Sequence, residues 1–175
     1  LPFPDSQQGS SVLSIAAGNN SKLLAVHSLS KRSNMAGYRG AFIAGDSELI
    51  SRLLEIRKHM GMMVPLPIQK SVAAALADDD HVHHQAEIYI KRRKVLRAAL
   101  EESGFSIEHS DAGLYLWCTR NEEDWTTVSW FADRGIIVTP GHFYGDKGAR
   151  HVRIALTATD KDIAEAASRI TQSPS

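Results

Sequence analysis

Short apolar runs alternate with polar breaks along this chain, and one long segment sustains a helical repeat. Residues 1–22 are rich in Ser, Gly, Asn, Gln and Pro and read as loop, interrupted by an apolar stretch at 12–17. Residues 22–30 have an apolar centre and a polar exit, and 40–45 are an apolar run between glycines. Both have the length and flanks of strands, the first a buried one. Asp46 or Ser47 can cap a helix in which Leu49, Ile50, Leu53, Leu54 and Ile56 recur at helical spacing. Residues 61–67 break it, and alanine-rich 68–77 predicts a tightly packed helix. Asp78, Asp79 and Asp80 end that helix and can cap the next. Residues 81–103 form the long amphipathic segment: Ile88, Val95, Leu96, Ala99 and Leu100 face one way, and Lys91, Arg92, Arg93 and Lys94 mostly solvate the other.

After Gly104 the repeat shortens. Residues 105–108 and 113–119 read as strands, 125–134 as a helix, 136–139 as a strand stopped by Pro140, 151–156 as a strand and 160–170 as a closing helix. The pattern is α/β in two blocks, with a boundary near residue 80.

Composition narrows the function classes. Lysines plus arginines (20) equal aspartates plus glutamates (20), so the basic footprint of a nucleic-acid partner is missing. Hydrophobic residues at 43% and charged residues at 23% are those of an ordinary globular chain. The single cysteine, Cys118, cannot form an internal disulfide and fits a reducing, cytoplasmic setting. The sequence has no run of about 18 apolar residues, so no membrane partner is expected. Leu1 to Asp5 lack the basic and apolar regions of a secretory signal.

The chemistry concentrates in Ser28-Leu29-Ser30-Lys31, followed by Gly37-Tyr38-Arg39-Gly40. On an extended segment Ser28 and Ser30 point the same way. Two hydroxyls and the Arg39 guanidinium suit a phosphate dianion, and flanking glycines let the backbone come close. Lys31 beside them must be neutral to attack a carbonyl. A neighbouring cation and partial burial favour that neutral form. A phosphate-bearing aldehyde joined to Lys31 as an imine describes pyridoxal 5'-phosphate. The competing reading is a surface lysine in a polar turn.

These residues resemble the cofactor-lysine motif of class I/II aminotransferases, the fold type I pyridoxal-phosphate enzymes. Thr139-Pro140-Gly141-His142-Phe143-Tyr144-Gly145, with the strand bearing Arg153, resembles that family's C-terminal signature, a Pro-Gly-x-x-Phe loop before an arginine strand. The resemblance implies that Ser28, Ser30 and Arg39 bind cofactor phosphate, that Lys31 is catalytic, and that Arg153 binds the substrate carboxylate. Otherwise Arg153 is a strand-edge surface arginine. The wider run from Val26 to Arg39, with Leu156-Thr157-Ala158-Thr159-Asp160, is similar to actinobacterial N-succinyldiaminopimelate aminotransferases. That implies amino transfer to 2-oxoglutarate in lysine and diaminopimelate synthesis, by a homodimer. Aminotransferases for aspartate, alanine or aromatic amino acids would keep the same motifs. An interaction module without catalysis is the rival of a different class.

By that resemblance the chain is expected to be the C-terminal part of a fold type I aminotransferase. Residues 1–80 would end the large cofactor domain, and 81–175 would form the small α/β domain with a long interdomain helix. The family's Asp-x-x-Tyr segment, whose aspartate pairs with the cofactor's pyridine nitrogen, has no match here: Asp5 is followed by Ser6-Gln7-Gln8. The 175 residues alone are therefore expected to be inactive. An open sheet edge would also make them associate.

Other features read as structural. His81, His83 and His84 beside Asp78–Asp80 favour a solvated helix start over a metal site. Asn19-Asn20-Ser21 favours a turn over a glycan site. Met60, Met62 and Met63 suit core or interface packing. By resemblance, the 61–67 loop lies near the partner subunit's site. Cys118 reads as a buried small hydrophobe, and Asp124, Trp125 and Trp130 as helix cap and packing.

Overall fold

The computed structural model describes residues 11–16, 18–61 and 63–172, which divide into two compact units, 11–84 and 85–172. The predicted loop over residues 1–10, including Asp5, and the positions of Ala17 and Met62 lie outside the described residues.

The apolar interruption near the start is a short helix, α1 (Val12–Ile15). β1 (Leu24–Ser28) and β2 (Ala41–Gly45) then pair antiparallel, in a register that sets Ser28 opposite Ala41 and Leu24 opposite Gly45. Between them lie α2 (Leu29–Arg32) and a 3-10 turn, Ala36–Tyr38. Asp46 caps α3 (Ser47–His59) as expected, accepting from the Glu48 and Leu49 amides. A further bond from the Lys22 amide, with those from Leu49 and Glu48, holds the Asp46 carboxyl below the usual carboxylate range. α4 (Leu66–Leu76) starts two residues earlier than predicted, because Pro67 is tolerated in a first turn, where its missing N–H costs no helix bond.

The buried strand expected over 22–30 is a correction. β1 is half-exposed to exposed, with Val26 at 71%. Among the described residues of 11–84, those buried are Leu29, Gly40 and Val82. Phe42, Leu54, Ile56 and Leu66 are all exposed. A two-stranded sheet with this much open apolar surface is marginal alone. The 175-residue polypeptide is therefore expected to self-associate in light scattering; a stable, soluble monomer would contradict this.

α5 (Asp80–Glu102) opens where Asp78 accepts from the Asp80 amide. Its buried line is Val82, Ala86, Tyr89, Arg93, Leu96 and Leu100, at three- and four-residue steps. Two predicted positions change places. Val95 is 44% exposed, whereas Arg93 is buried and donates to the Gly113 carbonyl. The stripe runs through Arg93 because its guanidinium finds an acceptor there.

The second unit carries an antiparallel sheet in the order β3–β4–β6–β5: β3 (Ser106–Glu108), β4 (Tyr115–Thr119), β5 (Thr139–Pro140) and β6 (Val152–Ala155). The strand predicted over 136–139 shrinks to Thr139–Pro140. Pro140 belongs to the strand instead of stopping it, at the sheet edge, where a missing N–H is tolerated. α6 (Asp124–Ala132) and α7 (Asp160–Thr171) complete the unit. Leu96, Leu100, Phe131, Leu116, Val152 and Leu156 are essentially inaccessible and form its core. Cys118 is fully buried as expected, and desolvation pushes its thiol up to about 12. No described helix is long and apolar enough to cross a membrane.

Candidate active site

The predicted residues fall in both units: Ser28, Ser30, Lys31 and Arg39 in the first, Arg153 in the second. Ser28 and Ser30 converge, but not on an extended segment. Ser28 ends β1 and caps α2, accepting from the Ser30 amide at 3.2 Å, and its hydroxyl donates to Ser30 Oγ at 3.0 Å. The helical turn, not strand alternation, brings the hydroxyls together. Lys31 follows within α2. The partial burial expected for it is absent: its side chain is exposed and makes no ion pair with a described residue.

The neighbouring Arg32 anchors the turn. It is half-buried, donates to the Ala75 carbonyl at 2.8 Å and pairs with Asp79. This tie of α2 to the end of α4 was not legible in the sequence, because it spans more than forty residues.

Register brings Arg39 to the same place. The Leu29 amide donates to the Gly40 carbonyl at 3.2 Å, so the residue after Arg39 lies against the residue after Ser28. Gly40 is buried, and a Cβ there would stand 2.5 Å from Val72 Cγ2, so a larger residue fits only if the Val72 side chain or its helix shifts. Arg39 has a left-handed backbone, φ +54°, and donates to the Ala36 carbonyl at 2.9 Å. A non-glycine residue is uncommon there. These residues fit pyridoxal phosphate: two hydroxyls and a guanidinium without an acidic partner among the described residues for a dianion, and an amine without an ion pair among them for a carbonyl.

In the second unit Arg153 lies on β6, directly between Trp117 of β4 and Thr139 of β5. Nearby arginines are committed. Arg92 pairs with Asp160 and Arg120 with Glu122, while Arg134 donates to Trp130. Arg153 differs. It makes neither an ion pair nor a hydrogen bond with a described residue, and its Nε is buried without a partner. Its contacts are aromatic, with the guanidinium carbon 4.1 Å from the Tyr115 ring centre and 5.1 Å from that of Tyr144.

The loop beside it is held tightly. The Gly141 amide donates to the His151 carbonyl at 2.8 Å, and a Cβ on Gly141 would lie 2.2 Å from the Gly148 carbonyl oxygen. His142 is bound twice by the buried Asp124, through its backbone amide at 2.9 Å and its Nδ1 at 2.6 Å. Burial alone would raise the Asp124 carboxyl. The two bonds from His142, with the imidazole's charge, outweigh this and hold it below the usual range. Asp124 thus fastens the loop rather than capping α6, and Trp125, though 54% exposed, packs against the loop rings of His142 and Phe143, centres 5.9 Å and 6.5 Å away.

Sequence reasoning missed Tyr115, Trp117 and Tyr144. The signal for the first two was alternation on β4, where Leu116 and Cys118 enter the core and the rings face the other way. His81 pairs with Asp78 at 3.0 Å. Among the described residues no group of three His, Cys, Asp or Glu could hold a metal.

A family model described as aminotransferase class I and II matches residues 4–170. The chain belongs to that family. Aminotransferases of this class use pyridoxal phosphate. The 4-dedimethylamino-4-oxo-anhydrotetracycline transaminase OxyQ of Streptomyces rimosus is 56% identical over 90% of this chain and 44% of its own length. The probable aminotransferase Rv1178 of Mycobacterium tuberculosis is 54% identical over 90% and 38%. An LL-diaminopimelate aminotransferase of Oleidesulfovibrio alaskensis is 34% identical over 82% and 38%. The crystal structure of an aminotransferase from Neisseria meningitidis superimposes with a TM-score of 0.85, at 31% identity, over 97% of this chain and 46% of that one. The fold is therefore part of the fold type I architecture, and the chain spans less than half the length of these aminotransferases.

Proposed function

We propose that this chain serves a pyridoxal-phosphate-dependent aminotransferase acting on carboxylate-bearing amino acids and oxo acids. One observation carries the reading: Arg153 keeps its guanidinium half-buried with no acidic partner among the described residues, on a strand beside the Pro140–Gly141 loop. A desolvated cation without an anion is costly, so the fold reserves it for an incoming one. A planar guanidinium receives both oxygens of a carboxylate, the group every amino acid substrate shares.

Ser28, Ser30 and Arg39 would hold the cofactor phosphate, and Lys31 its carbonyl end. When bound, the cofactor supplies an electron sink for the substrate's Cα–H bond. Lys31 Nζ takes the Cα proton as general base. Arg153 would bind the substrate carboxylate through both oxygens. Residues 1–80 are assigned to the large cofactor domain and 81–175 to the small one, within a homodimer. The exposed Met60 and Met63 are offered at its interface.

For the substrate, we propose N-succinyl-LL-diaminopimelate with 2-oxoglutarate. The motif run from Val26 to Arg39 and the LL-diaminopimelate relative at 34% identity support it. The relative at 56% identity is named for a different substrate, which favours as a second reading an amino transfer onto 4-dedimethylamino-4-oxo-anhydrotetracycline. Whole enzyme assayed on both, with aspartate, alanine and aromatic amino acids beside them, decides. The expected result is a kcat/KM for the succinylated substrate at least tenfold above the others. A preference for the tetracycline ketone would replace the first reading with the second.

A further inference from the structure

We propose that Tyr144 is a positioning residue for the Arg153 carboxylate site: its ring, seated on Trp117, holds the guanidinium while leaving every N–H free for substrate. The inference rests on the reading of Arg153 as the carboxylate site and deepens it.

The observations form a chain of contacts. His151 lies 15% exposed, with Nε2 3.1 Å from Glu108 Oε2. Its ring stacks on Trp117, centres 5.1 Å apart and planes within 8°. Trp117 also meets the Gly141 backbone, where an added Cβ would lie 2.9 Å from its Cη2. The indole also meets Tyr144 in a T-shaped contact, centres 5.8 Å apart at 81°. Tyr144 reaches Arg153, as Tyr115 does from β4. Glu108, His151 and Trp117 thus form a scaffold whose product is the place of one exposed loop ring.

An aromatic ring is suited to that task. It attracts the guanidinium through its negative π-face but takes up no N–H donor. A carboxylate in the same place would bind the fork permanently and compete with substrate. A tyrosine leaves the charge held and the donors open. This explains how Arg153 stays ordered without any hydrogen bond to a described residue. It also gives Tyr144, 54% exposed, a reason to lie against a cation instead of in the core.

The position has one more distinguishing mark. Counted from Pro140, Tyr144 occupies the aromatic place of the Pro-Gly-x-x-Phe pattern, with a hydroxyl added. If the ring acts by its π-face, the hydroxyl is dispensable.

The test is kinetic, in the whole enzyme with 2-oxoglutarate as the probe. Tyr144→Leu is expected to raise KM for 2-oxoglutarate about fivefold to tenfold and leave kcat within about twofold. Tyr144→Phe is expected to recover the original KM. Tyr115→Leu, on the second ring, should raise KM in the same direction. Arg153→Ala is the reference. If it raises KM and Tyr144→Leu does not, the positioning role is wrong and the carboxylate site stands. If neither raises KM, the carboxylate site itself is wrong. If Tyr144→Phe is as impaired as Tyr144→Leu, the hydroxyl acts and the ring does not, which also overturns the proposal.

Discussion

Lys31→Ala in the whole enzyme is expected to remove turnover almost completely, by about four orders of magnitude or more in kcat. The size follows from the two roles proposed for one amine. In that proposal Lys31 would join the cofactor's carbonyl and take the substrate Cα proton, and no neighbouring group is suited to substitute for it. Arg32 is tied to Asp79 and the Ala75 carbonyl, and Arg39 is never a base at working pH. Ser28 and Ser30 hold hydroxyls, which are far weaker bases. The substitution should not disturb the fold, because the Lys31 side chain is exposed and makes no ion pair with a described residue. Single-turnover assays and the visible absorbance of the bound cofactor check the two roles separately. The variant should retain pyridoxal phosphate through Ser28, Ser30 and Arg39 but lose the absorbance that depends on the lysine. Unchanged absorbance and turnover would show that Lys31 is a surface lysine and that the assignment of the first unit is wrong.

Arg153→Ala is expected to raise KM for both amino donor and oxo acid about 30-fold or more, because it removes a charged, two-point partner from a partly desolvated site. Arg153→Lys keeps the charge but not the fork, and should recover less than about tenfold of that loss. An amine lacking the carboxylate should react no worse with Arg153→Ala than with the original enzyme. Steady-state kinetics with matched carboxylate and decarboxylated donors make the comparison. Equal loss on both donors would mean that Arg153 supports the sheet and does not bind substrate.

Much of the fold was legible because it depends on local rules. Asp46 as a cap, a break after α3 at Gly61 and the length of α5 follow from side-chain chemistry and periodicity within one or two turns. The failures share a cause. Val95 and Arg93 exchanged places on α5 because an acceptor at Gly113, twenty residues on, decides which face can hold a guanidinium. Residues 136–138 read as strand on apolar character, yet the ladder to β6 begins only at Thr139. Ser28 and Ser30 were paired correctly for the wrong geometric reason.

The site divides in the same way. By itself, the sequence determined which groups are present: an amine, two hydroxyls and two guanidinium groups in spacings that resemble one family of cofactor enzymes. Residue identity and short-range spacing are local properties of the chain. Only the tertiary structure decided which guanidinium is free. Arg92, Arg93, Arg120 and Arg153 are the same residue type, and three of them are committed to acceptors brought from elsewhere in the sequence or by a turn. Arg153 has no hydrogen-bond partner among the described residues because the groups its guanidinium meets are the Tyr115 and Tyr144 rings, whose faces accept no strong hydrogen bond. Such a partner's absence is a property of packing across three strands and a loop, and no local pattern in the chain encodes it.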